Sequence, residues 1–419
     1  MLPFAVLFGG ANSCMDFGIF SQHHRPGRAV ADAYDDDEFE VQTADGLGYR
    51  EAWISEHAFP AELLICKLAG RTEQIRLGPG VRPLAIHHPL QVAIEANACD
   101  QLTRGRYQFG FGLGGPLGGP RKMEQRGLGD DSERRARMWE AIGFVRRAWA
   151  TVEPFDFAGD FWQGSGIRVE PRPYQLPHPP IAISTSGSRE TLEIAGREGF
   201  WPLLGSTDDS RSVFEMLEVY SNAAQHVASR TRARLTRLVY VAETAGQALD
   251  DLRPTLGRQV EQERELLRQQ LARRDEQDGS PQDPVLRVGL RVLESLGSDR
   301  VEAITLEALA ESGYYLIGDP DGVARQVERL FVETGGFGTL LLLAGRDIGT
   351  RQGRARSLRM FMEHSAPRLR HLDAGAPSVE AGVAGQGLQA ERGGQVLGTE
   401  PDTARQGRSR AAVEGDPWP

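Results

Sequence analysis

From Met15 onward, short apolar runs alternate with longer stretches whose apolar positions recur at helical spacing. The short runs predict eight strands, over 16–21, 51–55, 75–78, 107–113, 181–184, 200–204, 235–243 and 339–344. The stretches 89–102, 132–150, 190–197 and 323–333 between them read as helices. Strands that alternate with helices lie parallel, joined by helical crossovers. Eight such units, over more than the roughly 250 residues of a basic barrel, predict a (β/α)8 TIM barrel of class α/β carrying insertions.

The punctuation agrees with this pattern. Asp319 can cap the helix after it, with Pro320 at the first helical position, where a missing N–H costs nothing. Gly335, Gly336 and Gly338 end that helix and lead into an apolar run suited to a strand buried on both faces. One insertion, 153–180, follows the fourth strand and is rich in Pro, Gly and aromatics, which predicts a hairpin and loop. A second, 246–313, follows the seventh and includes a helix-like run at 258–274 rich in Arg, Glu, Gln and Leu. It reads either as a lid over the active-site end or as a solvated helix pair. From 374 to 419 large apolar residues almost vanish, which predicts a disordered tail. Residues 1–14 precede the first strand-like run and read as an extension or a mis-set start, leaving one folded domain over 15–373.

Composition narrows the function classes. A net charge of −10 argues against a nucleic-acid partner held through phosphates. No apolar run is long enough to span a membrane, and the first residues lack the basic flank of a signal peptide. Every cation except Lys67 and Lys122 is arginine, a bias expected of a GC-rich genome. The three cysteines, Cys14, Cys66 and Cys99, lack metal-ligand spacing, which fits a reducing cytoplasm.

In a parallel barrel the chemistry gathers at the C-terminal ends of the strands. His23 and His24 follow the first strand, Glu56 and His57 the second, and Arg82, His87 and His88 the third. Five of the nine histidines thus collect at one end. Few carboxylates accompany them, and neither His-x-His nor His-Glu-x-x-His occurs, so no metal is expected. His57, at a strand end beside Glu56, suits proton handling. The glycines from Gly110 to Gly115 formally match a dinucleotide fingerprint, but Pro116 and Pro120 follow where a helix should open. Gly112 and its neighbours read instead as a place where a cofactor ring approaches the backbone. Ser186, Gly187, Ser188 and Arg189 lead into a helix, and together they offer N–H donors, hydroxyls and a guanidinium to a phosphate.

The stretches Gly46 to His57, Ile75 to Gly78, His87 to Leu90, Asp100 to Arg106, Phe109 to Gly112, Ile317 to Pro320 and Gly335 to Leu340 resemble, in order, the bacterial luciferase-like flavin-dependent monooxygenases. Within that family, Phe157 to Trp162 and the Gly335 to Leu340 run look most like the limonene monooxygenase subgroup. The resemblance implies a homodimer that takes reduced FMN from a separate flavin reductase. It then uses molecular oxygen to oxygenate a small organic substrate such as a terpene, a polyketide or an aldehyde. It assigns catalysis to His57 and His88, the flavin ring to the backbone at Gly80 and Val81, and the flavin phosphate to the loop around Ser188. His23, His24 and Glu56 fall to the substrate pocket. Ala58 stands where the family usually has a second histidine, and Leu113 where luciferase places an arginine for the phosphate; Arg189 is the residue in reach to replace it. A deazaflavin-dependent hydride-transfer oxidoreductase of the same superfamily is the alternative reading. A catalytically silent flavin-binding protein is the third.

Overall fold

A computed structural model describes residues 14–23, 25, 28–56, 60–114, 131–185, 187–225, 229–276 and 284–375. All eight strands expected from the apolar runs form, in order. They are β1 (Asp16–Ser21), β2 (Glu51–Ile54), β3 (Arg76–Pro79, resuming at Arg82–Pro83), β4 (Phe109–Gly112), β5 (Ile181–Thr185), β6 (Trp201–Leu204), β7 (Arg234–Arg237, resuming at Val239–Val241) and β8 (Thr339–Ala344). Every neighbouring pair is parallel. The interruption in β3 closes the barrel. Its first piece pairs with β2, its second with β4, and Leu77 bridges Tyr107 across the seam.

The strands are buried on both faces, which is why they read as continuous apolar runs. Outside, helices cover them: Phe109 packs edge-on against Trp149 of a crossover helix at 5.4 Å. Inside, Trp53, Ala182, Leu203 and Leu341 form the barrel core with Phe20, Val81 and Trp201 at its margin. A buried ion pair joins Glu51 of β2 to Arg234 of β7 at 3.1 Å. Since β1 and β8 stand between those strands in the sheet, the pair crosses the barrel interior. Trp53 Nε1–H donates to the same carboxylate at 3.0 Å, and the guanidinium lies 3.7 Å from the Trp201 ring centre. These partners satisfy a charge that burial would otherwise make costly.

Glycine is required where strands approach closely. A Cβ on Gly110 would run into the Pro79 carbonyl oxygen and stand 2.8 Å from the Trp53 ring. Gly110→Ala is therefore expected to cost about 1–3 kcal/mol, because backbone cannot move aside as a flexible side chain can. Chemical denaturation of the purified variant checks this; an unchanged midpoint would mean that the seam has slack.

The cap expected at Asp319 forms, with the Gly322 N–H donating to Asp319 Oδ1 at 2.7 Å and Pro320 opening the helix. Between β4 and β5 stands the antiparallel hairpin of Phe155–Ala158 with Gln163–Ile167. The segment after β7 contains the helices Arg258–Glu276 and Pro284–Ser295 and returns through a short strand, Leu316–Gly318, paired with Val239–Val241. It is more than a solvated pair of helices. Leu256, Val260, Leu267 and Leu293 share one apolar cluster with Leu238, Tyr240 and Leu343 of the barrel. No helix among the described residues is long and apolar enough to cross a membrane.

Candidate active site

Four helices position the rim of the barrel mouth: α1 (Val30–Gly46), α2 (Ala61–Ala69), α3 (Pro89–Thr103) and α4 (Asp131–Ala150). A fifth, α5 (Arg189–Glu198), follows β5. The floor is apolar, made by the partly buried Phe20, Val81 and Trp201 packed on the fully buried Trp53. On it lies the Gly80-Val81 peptide, which is cis, with the Gly80 N–H donating to Ile54 O at 2.7 Å. A Cβ on Gly80 would stand 2.8 Å from the Phe20 ring, and one on Gly112 would meet Ser184 Oγ and stand 2.7 Å from Val81 Cγ2. The floor is thus set by backbone and aromatic faces, with glycines keeping it flat.

A charged cluster forms one wall. Arg82, its side chain 3% exposed, is held by three carboxylates from three elements. Glu62 of α2 bonds its Nη1, Glu95 of α3 takes Nη2 at 2.6 Å, and Glu56 at the end of β2 approaches Nε at 3.5 Å. Burial alone would lower the Arg82 pKa, but the Glu62, Glu56 and Glu95 carboxylates outweigh it and hold it above its ordinary value. Burial wins at Glu62, raising its carboxyl despite Arg82. His87 completes the wall: its Nε2–H donates to Glu56 Oε1 at 2.7 Å, and its Nδ1 faces Arg82 Nη2 at 3.4 Å. Glu56 Oε2 and Ser55 Oγ are buried without a hydrogen-bond partner at this strand end.

The structure brings some expected site residues together and separates others. Glu56, Gly80, Val81 and Gly112 lie around one mouth. His88 is exposed; it caps α3 by accepting from the Leu90 N–H at 3.3 Å, and its ring meets Trp162 edge-on at 5.1 Å. His23 turns to α1, bonding Asp37 and stacking on Tyr34 at 4.5 Å. Asp37 and Glu40 in turn bind Arg25 at 3.1 and 3.2 Å, so a buried ionic network anchors the loop after β1. Ser188 caps α5, accepting from the Thr191 N–H at 3.4 Å, and Gly187 precedes it at φ +97°, a backbone conformation that glycine adopts freely. Arg189 lies along its own helix, 2.8 Å from Glu193 and largely exposed. Arg135 of α4 instead reaches the first turn of α5, donating to Thr191 Oγ1 at 3.3 Å. His24, His57 and Ser186 lie outside the described residues, as does most of 374–419.

Sequence reading missed the convergence of Glu62, Glu95 and His87 on Arg82. One signal was available: Glu62 falls in a helix that is otherwise apolar except for Lys67, a placement that predicts a buried partner for its charge.

The segment after β7 is tied to the rim by charge. Arg291 pairs with Asp208, after β6, at 2.7 Å, and Glu263 with Arg346, after β8, at 3.4 Å. Burial raises the Asp208 carboxyl although Arg291 and Arg237 draw it down. Complete burial pushes Arg237, beside it, down to about 10.

Comparison with known proteins agrees with this geometry. A sequence family described as luciferase-like monooxygenase matches residues 15–337. The 4-hydroxyprotoasukamycin monooxygenase of Streptomyces nodosus subsp. asukaensis is 31% identical over 343 residues, 78% of this chain and 84% of that protein. The limonene 1,2-monooxygenase of Rhodococcus erythropolis is 28% identical over 347 residues, 79% of this chain and 81% of that one. The oxygenating constituent of 3,6-diketocamphane monooxygenase from Pseudomonas putida, solved in complex with FMN, superposes with a TM-score of 0.72 at 25% identity. It covers 85% of this chain and 99% of its own.

Proposed function

The chain belongs to the luciferase-like monooxygenase family, and from that premise we propose that it binds reduced FMN at the C-terminal mouth of its barrel and oxygenates a small apolar organic substrate there. It is an oxidoreductase that incorporates molecular oxygen. The observation that carries the cofactor reading is the glycine-flattened apolar floor at Gly80, Val81 and Gly112, bounded by a helix N-terminus on one side and a polar wall on the other. Buried Ser55 Oγ and Glu56 Oε2 lack hydrogen-bond partners, although Arg82 Nε stands 3.5 Å from the latter, and both fit a polar ring edge laid on that floor. Reduced FMN, delivered by a separate flavin reductase, supplies the electrons that activate oxygen.

The protein's own part is to bind, orient, exclude water and move protons. Ser186, Gly187 and Ser188 at the start of α5 hold the phosphate. Arg135, poised at Thr191, supplies the guanidinium absent at Leu113, a role for which Arg189 faces the wrong way. Phe20, Trp53 and Trp201 keep the reacting face dry. Proton handling is assigned to His57, which follows Glu56 in the sequence, and Glu56 forms a hydrogen-bonded unit with His87. The resemblance gives the second histidine role to His88, while the carboxylate partner belongs to His87. The substrate pocket is assigned to the loop after β1 through His24, with His23 anchoring that loop on Asp37 and Tyr34, and the helices after β7 close over it as a lid held by Arg291 and Glu263. We assign residues 15–373 to one catalytic domain working as a cytoplasmic homodimer, with 1–14 and 374–419 outside it. The apolar floor and the named relatives favour a terpenoid or polyketide substrate.

Anaerobic titration with reduced FMN, then rapid mixing with oxygenated buffer, tests the reading. Saturable binding and reoxidation slower than that of free reduced FMN are expected. If the protein leaves reoxidation unchanged but binds a reduced deazaflavin, the hydride-transfer reading takes its place.

A further inference from the structure

The sulfur atoms of Cys66 on α2 and Cys99 on α3 lie 3.7 Å apart. Cys66 is half-buried and Cys99 buried. Neither cysteine takes part in the site described above, yet their helices carry two of the three carboxylates, Glu62 and Glu95, that clamp Arg82. We propose that Cys66 and Cys99 form a peroxide-reactive dithiol, an oxidation site in which Cys66 attacks the oxidant and Cys99 closes a disulfide between α2 and α3.

The division of labour follows from the environment. The hydrogen bond between the two sulfurs holds the Cys66 thiol below its ordinary value. The same hydrogen bond, with burial added, raises Cys99. The thiolate is the nucleophile, so the half-buried Cys66 reacts first. Its sulfur attacks one oxygen of hydrogen peroxide; an S–O bond forms, the O–O bond breaks, and the departing hydroxide leaves as water with a proton. The Cys99 sulfur then attacks the Cys66 sulfenyl sulfur; the S–S bond forms, the S–O bond breaks, and a second water leaves with the Cys99 proton. The two thiols give up two electrons and the peroxide takes them. A disulfide needs its sulfurs at about 2 Å, so closure asks for a rotamer adjustment of under about 2 Å between packed helices. Hydrogen peroxide arises whenever oxygen is reduced by two electrons without reaching a substrate, so an oxygen-using enzyme is exposed to its own oxidant. The assignment itself does not depend on the cofactor.

The test treats the purified full chain with added hydrogen peroxide, without flavin, and follows thiol titration, intact mass and peptide mapping. Loss of two of the three thiols, a mass lower by two hydrogens, and a Cys66–Cys99 linked peptide are expected, all reversed by dithiothreitol. Cys14→Ser should leave the reaction intact, while Cys66→Ser and Cys99→Ser should each abolish the linked peptide. The linked form should also unfold at a higher temperature than the reduced form, since the cross-link restricts the unfolded chain. Stable oxygen adducts on Cys66 with Cys99 still free would overturn the proposal. So would consumption of Cys14 alone, or links only between chains.

Discussion

Arg82→Met is expected to cost about 3–5 kcal/mol of stability at neutral pH, the range seen when one partner of a buried ionic cluster is removed. The magnitude follows from what remains. Glu62, with 7% of its side chain exposed, and Glu56, with 5%, would be left facing each other without the guanidinium that draws them together. Methionine keeps the unbranched apolar stem but not the guanidinium, so the loss measures mainly charge, with a smaller contribution from unfilled volume. The pH dependence gives a sign that a packing defect would not. In the native protein burial already raises the Glu62 carboxyl above its ordinary value. A group raised on folding contributes stability that is fully present below its unfolded pKa and lost as pH rises through the folded one. Without Arg82 the same carboxyl rises further, because the largest opposing influence is gone. The gap in unfolding free energy between native and variant should therefore shrink as pH falls from about 7 towards about 5. Denaturant titrations across that range check it. A gap independent of pH would mean that the cluster acts by packing alone.

The fold was largely legible because barrel strands are buried on both faces, and so appear as unbroken apolar runs between helices. What escaped was short or irregular. The strand Leu316–Gly318 has three residues, too few for a periodicity to register. The break in β3 at Gly80-Val81 and the bend in β7 at Leu238 are backbone events that leave no mark in the hydrophobic pattern. The barrel's end was legible as well, since polar residues at strand ends had to lie there. Side-chain direction was not. Adjacent histidines after a strand point differently according to local backbone geometry: His87 follows a short helical turn, Leu84–Ile86, and faces the cluster, while His88 is already the cap of α3. Long-range partners were equally hidden. Arg82 meets residues 20 positions before it and 13 after it, and nothing in a single sequence links those positions.

The two histidines make the sharpest functional test, because one substitution each separates a rim position in the charged wall from a helix cap. His87→Gln is expected to lower kcat by about a hundredfold or more, the usual scale for losing a positioned acid–base group. Glutamine can donate to Glu56 and accept from Arg82, so the wall should stay assembled and the thermal midpoint should hold. It lacks the imidazole's capacity to pass a proton, so turnover should fall while the fold stays intact. His88→Ala removes an acceptor for one N–H and an edge contact with Trp162. Its expected cost is stability, about 0.5–1 kcal/mol from the cap, with kcat within a few-fold of native. KM is the complementary readout, since a residue that only positions the wall should move it along with kcat. If His88→Ala instead removes turnover and His87→Gln does not, the proton passes on the exposed side of α3, and the carboxylate pair is architectural. If His87→Gln keeps turnover, proton handling belongs to His57 alone.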